Sequence, residues 1–163
     1  MTDFPSLIQL LAKNHVDFII VGGAAATAHG SSRLTEDLDV VYRRTPENIA
    51  KLADALASHK PYLRGAPEGL PFRFDANAIT RGLNFTLVTD LGAVDLLGEI
   101  TGGGRYEDLL PHTITLNLFG HTCRCLSLSR LIEVKRAAGR PRDLEAVAEL
   151  EALLEEQQRK DIK

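Results

Sequence analysis

The chain has 163 residues, 44% of them hydrophobic and 25% charged, a length and balance that suit one folded domain over residues 1–163 and exclude both a disordered tail and a multidomain machine. Its net charge of -3 withholds the broad attraction to phosphate backbones on which basic nucleic-acid binders rely, so any nucleic-acid partner has to be held locally. No apolar run approaches the ~20 residues that cross a bilayer, and Met1-Thr2-Asp3 lacks the basic start and apolar block of a secretion signal, so the expected setting is cytoplasmic with no membrane partner.

Phe4, Leu7, Ile8, Leu10 and Leu11 recur at helical spacing behind Asp3 and Pro5, a cap and a first-turn proline, which predicts an opening amphipathic helix. Val16 to Val21 is a β-rich apolar run that stops at Gly22-Gly23, and Ala24 to His29 carries helix formers, giving strand, glycine turn and helix. Leu38 to Tyr42 reads as the next strand. Thr45, Pro46 and Glu47 form a cap, an N1 proline and an acidic first turn, ahead of Ile49, Leu52 and Leu56 on one helical face. Lys60 to Asn77, rich in proline, glycine and charge, with Phe72 and Phe74 alternating, is expected to hold a loop and a short strand. Leu83 to Val88 and Ala93 to Leu97 read as adjacent strands about a turn at Thr89 to Gly92. Gly102-Gly103-Gly104 is expected to be a flexible connection. Ile114, Leu116 and Leu118 alternate with polar residues and the pattern resumes from His121 to Leu126, a hairpin about Phe119-Gly120. Ser127 caps a helix carrying Leu128, Leu131, Ile132 and Val134 that ends near Gly139. A last helix starts at Pro141 with Leu144, Val147, Leu150 and Leu154 on one stripe, and frays from Glu155. The core thus spans about residues 16–126, and a helical part about 127–158.

The informative segment is Val21-Gly22-Gly23 followed, thirteen residues later, by Asp37-Leu38-Asp39-Val40. Side chains at i and i+2 of a strand share a face, so Asp37 and Asp39 stand together while Leu38 and Val40 enter the core. Paired carboxylate oxygens suit Mg²⁺, which takes the rest of its shell from water and substrate phosphates. A glycine turn opening a helix offers free backbone N–H groups and a positive dipole end, where a triphosphate can rest. Taken alone, a Gly-Gly is usually a tight turn and an Asp-x-Asp a solvated pair; their order and spacing give them weight.

G-G-x13-D-L-D-V resembles the signature of the nucleotidyltransferase superfamily related to DNA polymerase beta. His29-Gly30, Arg33, Thr35, the segment Gly92-Ala93-Val94-Asp95-Leu96-Leu97, Leu131-Ile132 with Lys135, and Gly139-Arg140 with Arg142-Asp143-Leu144 are similar to small bacterial nucleotidyltransferases of the AbiEii toxin and minimal nucleotidyltransferase type. The resemblance runs from about Phe18 to Leu150. It implies an α/β nucleotidyltransferase fold: a small twisted mixed sheet flanked by helices, with C-terminal helices completing the cleft. It further implies that Asp37 and Asp39 bind two Mg²⁺ ions, and that Asp95 is the third carboxylate, a metal ligand beside the attacking hydroxyl or the base that takes its proton. Gly22 and Gly23 would admit the triphosphate, with a hydroxyl that many relatives carry at the second glycine lost or supplied by Ser31 or Ser32. Lys135 and Asp143 would lie at the nucleotide or triphosphate end. The implied activity is transfer of a nucleoside monophosphate from an NTP to a hydroxyl acceptor on RNA or protein, with pyrophosphate leaving and a cognate toxin or antitoxin as partner. The competing reading is a nucleotide-binding regulatory or antitoxin-like protein that keeps the fold without turnover.

Other residues carry less. Arg33 can fork onto a phosphate or be a solvated loop arginine, Thr35 reads as a turn cap, and Arg140 with Arg142 forms a basic patch or neutralises a helix end. Arg105 after the triple glycine excludes a P-loop, and Gly22-Gly23 does not fit the dinucleotide fingerprint. Cys123 and Cys125 are too close for a disulfide framework, and with His121 lack a second ligand pair at zinc spacing. Asp90 is the next carboxylate to consider should Asp95 point elsewhere.

Overall fold

The computed structural model describes residues 1–162. Helix α1 (Phe4–Lys13) begins where expected, with the Asp3 carboxylate accepting from the Ser6 backbone N–H, and buries Leu7, Ile8 and Leu11. Strand β1 (Phe18–Val21) is buried along its whole length and runs straight into α2 (Gly22–Ala28), so the two glycines form the first turn of that helix and no separate loop precedes it. Strand β2 (Asp37–Tyr42) follows, then α3 (Pro46–Leu56), whose N-cap hydroxyl on Thr45 accepts from the Asn48 N–H. In the stretch 60–77 the short strand is β3 (Tyr62–Leu63); Phe72 and Phe74 are not a strand but part of an aromatic row from Tyr62 to Phe85, tilted against each other and edge-to-face with Tyr62 and Phe85 at its two ends.

Two short helices have no counterpart in the sequence expectations. Helix α4 (Ala76–Arg81) is capped by Asp75, and α5 (Tyr106–Leu109) follows the triple glycine. They are single turns or little more, too short to print a helical period. Strands β4 (Asn84–Thr89) and β5 (Gly92–Leu97) form the expected pair. The glycines are not a loose connection: β6 (Glu99–Ile100) and β7 (Gly104–Arg105) pair across them as a two-stranded ribbon. The hairpin of β8 (Thr113–Leu118) and β9 (His121–Leu126) turns on Phe119 and Gly120, both at positive φ.

Seven strands make one twisted sheet in the order β3-β4-β5-β2-β1-β9-β8, mixed because β1–β9 and β2–β5 are parallel and the other neighbours antiparallel. Helix α6 (Leu128–Ala138) closes on Gly139 in the left-handed conformation, and α7 (Pro141–Ile162) packs against it. Leu144 is 53% exposed and leaves the predicted stripe; Asp143, Ala146, Val147 and Leu150 are the buried face. The helix continues to Ile162 instead of fraying at Glu155, and Lys163 lies outside the described residues. One apolar cluster joins α1, α3, the sheet, α6 and α7. Among the described residues no helix is long and apolar enough to cross a membrane.

Asn48 is a polar hinge of that core. Its side chain accepts from the Asp17 N–H at 2.6 Å and donates to the carbonyls of Asp17 and Arg43 at 3.0 and 2.9 Å, tying α3 to both strands that lead to the site.

Candidate functional site

The parallel register of β2 and β5 sets Asp39 directly beside Asp95, and the period of two adds Asp37 to the same face. Leu38 and Val40 are fully buried on the opposite face, so the apolar core fixes which way the aspartates look. Ligand oxygens of Asp37, Asp39 and Asp95 all lie within 4.8 Å of one another. Asp90 plays no part: its carboxylate pairs with the His59 ring at 2.8 Å.

Gly22 explains why the strand must end in glycine. It has φ +60°, and a Cβ there would run into the Asp39 carboxylate. At Gly23 a Cβ would meet the Thr35 hydroxyl at 2.6 Å, so the Thr35 side chain fills the space where another residue type would project. Thr35 also donates to the Asp37 carbonyl, closing the turn into β2.

Asp39 is the most perturbed carboxyl in the site. Burial first, then the negative charges of Asp95 and Asp37, push it up to about 7, against a partial offset from Lys135. One of its oxygens, Oδ1, is buried with no hydrogen-bond partner. An all-oxygen donor set, a buried acceptor without a donor and a backbone that leaves room beside it fit a hard divalent cation.

Two cavities of about 430 and 440 Å³ meet at Gly22, Asp39, Lys135, Arg140 and Asp143. Arg33, Arg142, Ser31 and Glu149 line the first; Leu97, Ile100, Leu131 and Val134 line the second. Lys135 is half-buried on α6 and lines both. Asp143 is 4% exposed and takes a fork from Arg140 at 2.6 and 3.3 Å. Burial alone would raise its pKa, but the hydrogen bond and charge of Arg140 and the charge of Lys135 hold it below the usual carboxylate range. Arg140 is therefore engaged with Asp143 at the start of α7, while Arg142 stands exposed at the cleft.

Ser31 is buried and donates to Glu149, as does the exposed Ser32, so both hydroxyls are bound within the fold and neither is presented free. Arg33 is exposed at the mouth of the first cavity, its backbone N–H donating to Ser31 at 3.2 Å.

Sequence reasoning missed Arg64 and Glu149. Arg64 Nη2 lies 2.8 Å from Asp95 Oδ1 and Nη1 3.6 Å from Asp37 Oδ2. It sits just past a two-residue strand in a stretch without periodicity, and no spacing in the chain announces it. Glu149 is a polar position on a helix, indistinguishable by pattern from its solvated neighbours.

No protein-family model matches the chain, and no curated protein is similar to it in sequence. Solved structures are similar in fold. TM1012 of Thermotoga maritima, itself assigned to the nucleotidyltransferases, superposes with a TM-score of 0.53 at 17% identity over 96% of each chain. The lincosamide antibiotic adenylyltransferase LnuA gives 0.59 at 13% identity, over 91% of this chain and 94% of its own. The antibiotic-resistance factor ANT(2'')-Ia gives 0.53 at 14% identity, over 96% and 89%. The likeness extends over nine-tenths or more of the chain, which has the nucleotidyltransferase fold.

Proposed function

We propose that the chain is a Mg²⁺-dependent nucleotidyltransferase of the AbiEii-toxin and minimal-nucleotidyltransferase type, acting in the cytoplasm. It transfers a nucleoside monophosphate from an NTP to a hydroxyl on RNA or protein, with a cognate toxin or antitoxin as its partner. The observation that carries the reading is the convergence of Asp37, Asp39 and Asp95 within 4.8 Å, beside a glycine that leaves Asp39 unobstructed and at the junction of two cavities. Asp37 and Asp39, with Asp95, would hold the metal, which supplies a Lewis acid at the transferring phosphoryl group and lowers the pKa of the attacking hydroxyl.

The chain's own residues divide the remaining work. Lys135, Arg33 and Arg142 supply positive charge to the first cavity, where a polyphosphate needs it. Arg140 and Asp143, locked together at the start of α7, hold that wall of the cleft in place. Asp95, on β5 with β2 between it and the strand that leads into the glycines, would serve an incoming hydroxyl as metal ligand or as base.

One observation favours a second acceptor class. The cavity that opens on Asp39 from the other side is walled by Leu97, Ile100, Leu131 and Val134, suited to a small, partly apolar hydroxyl compound, and LnuA is an antibiotic adenylyltransferase.

The test is to incubate the protein with each α-labelled NTP and Mg²⁺ in the presence of total RNA, lysate protein or a panel of small hydroxyl compounds, beside Asp37→Asn and Asp39→Asn. Label on a macromolecule that both variants fail to produce is the expected outcome; label on a small compound selects the second class. NTP binding without any label would leave the regulatory, non-catalytic reading in its place.

A further inference from the structure

Arg64 reaches the carboxylates from two strands away. Its backbone N–H donates to the Thr86 carbonyl at 2.9 Å, and from there the side chain crosses β4, where Nη2 meets the Leu87 carbonyl at 2.9 Å and Asp95 Oδ1 at 2.8 Å. With Nη1 3.6 Å from Asp37 Oδ2, the guanidinium bridges two of the three side chains whose oxygens converge. It is the cation at the place where a divalent ion would find its ligands.

We propose that Arg64 is a displaceable internal counterion: it neutralises Asp37 and Asp95 in the metal-free protein, competes with divalent cations for the same oxygens, and leaves them when the metal loads. The inference rests on reading the aspartate triad as a metal site.

Two features separate this role from that of a permanent structural arginine. A guanidinium built into a core has its buried N–H groups satisfied, whereas Arg64 Nε is buried with no partner. The residue that follows, Gly65, has φ +80° and nothing within 4 Å of where a Cβ would stand, so the backbone beside Arg64 is not packed against its surroundings. The side chain is held at its tip by the carboxylates and the Leu87 carbonyl and at its root by one strand bond, and a doubly charged competitor for the carboxylates removes its charged partners and leaves one neutral bond at the tip. The free protein would then take up metal more weakly than its carboxylates alone allow.

The test is Mn²⁺ titration of the full chain without nucleotide, by calorimetry and by the electron paramagnetic resonance of free Mn²⁺, on wild type, Arg64→Gln and Arg64→Lys. Removing a unit charge within a few ångströms of the ion should tighten the first Mn²⁺ in Arg64→Gln by at least about tenfold, with Arg64→Lys in between. Equal or weaker binding by folded Arg64→Gln overturns the counterion role while leaving the metal site standing; absence of Mn²⁺ binding by both wild type and variant overturns both. Should Arg64→Gln fail to fold, ¹⁵N-arginine spectra of wild type decide: Mg²⁺ is expected to shift the Arg64 Nε–H resonance and speed its exchange with water, and a resonance that saturating Mg²⁺ leaves unchanged overturns the proposal.

Discussion

Asp39→Asn should stabilise the metal-free protein at alkaline pH while removing a ligand of the proposed metal site. Asp39 is held at about 7 in the folded chain, by burial and then by Asp95 and Asp37, against 3.8 for an ordinary aspartate. The folded state therefore binds the proton more tightly than the unfolded state. Stability from this group is fully present below pH 4 and is lost as pH rises through 7. At pH 8 wild type carries the whole cost of ionising Asp39 in place, about 2–4 kcal/mol once partial solvent screening is allowed for. Asparagine occupies the same volume and does not titrate, so Asp39→Asn escapes that cost. Urea unfolding in EDTA at pH 5 and pH 8 measures it. The variant is expected to gain on wild type as pH rises, ending about 2–4 kcal/mol more stable, or roughly 5–12 °C higher in melting temperature. Mn²⁺ or Mg²⁺ should raise the midpoint of wild type and leave the variant where it is. A stability difference that does not grow between pH 5 and pH 8, or a wild type that is the more stable at pH 8, would refute the account of Asp39 as an ionised group held against its preference.

Gly22→Ala should act in the opposite direction, because a left-handed alanine whose Cβ overlaps the Asp39 carboxylate costs about 2–4 kcal/mol in urea unfolding and abolishes Mn²⁺ binding. Asn48→Ala leaves the part-buried Asp17 N–H and Arg43 carbonyl without their side-chain partner, and is expected to lower stability by about 1–3 kcal/mol with metal affinity unchanged in the folded fraction.

The segments that sequence made readable are those in which one residue type answers one local demand. Asp3, Thr45 and Ser127 cap helices because each places an oxygen against an orphan N–H, and Leu38 with Val40 fixes the facing of Asp37 and Asp39 because a strand has only two faces. Asp95 was legible through resemblance, and the register that sets it beside Asp39 belongs to a parallel pairing of strands far apart in the chain. Helices α4 and α5 and the β6–β7 ribbon stayed hidden because each spans fewer than two repeats of the period that would reveal it. Leu144 was misassigned for a different reason: Asp143 occupies the buried position at that turn, stabilised by Arg140, so an ion pair displaced the apolar residue from the stripe. Arg64 depends wholly on the path of an irregular chain segment between two strands.

Charge shows most clearly what the fold adds to the sequence. A net -3 spread evenly would repel every polyphosphate. The fold instead sorts it: three carboxylates are pressed together on two neighbouring strands, and Arg33, Lys135 and Arg142 are gathered around the first cavity beside them. The repulsion among the aspartates is concentrated where a cation can relieve it, and the cations stand where a ligand's negative charge can reach them. A triphosphate bound with its own divalent ions answers both demands at once, whereas a bare polyanion answers only the second. In calorimetric titrations Mg²⁺ should accordingly strengthen NTP binding, and NTP strengthen Mg²⁺ binding by the same factor, since Arg64 already satisfies part of the first demand when no ligand is present.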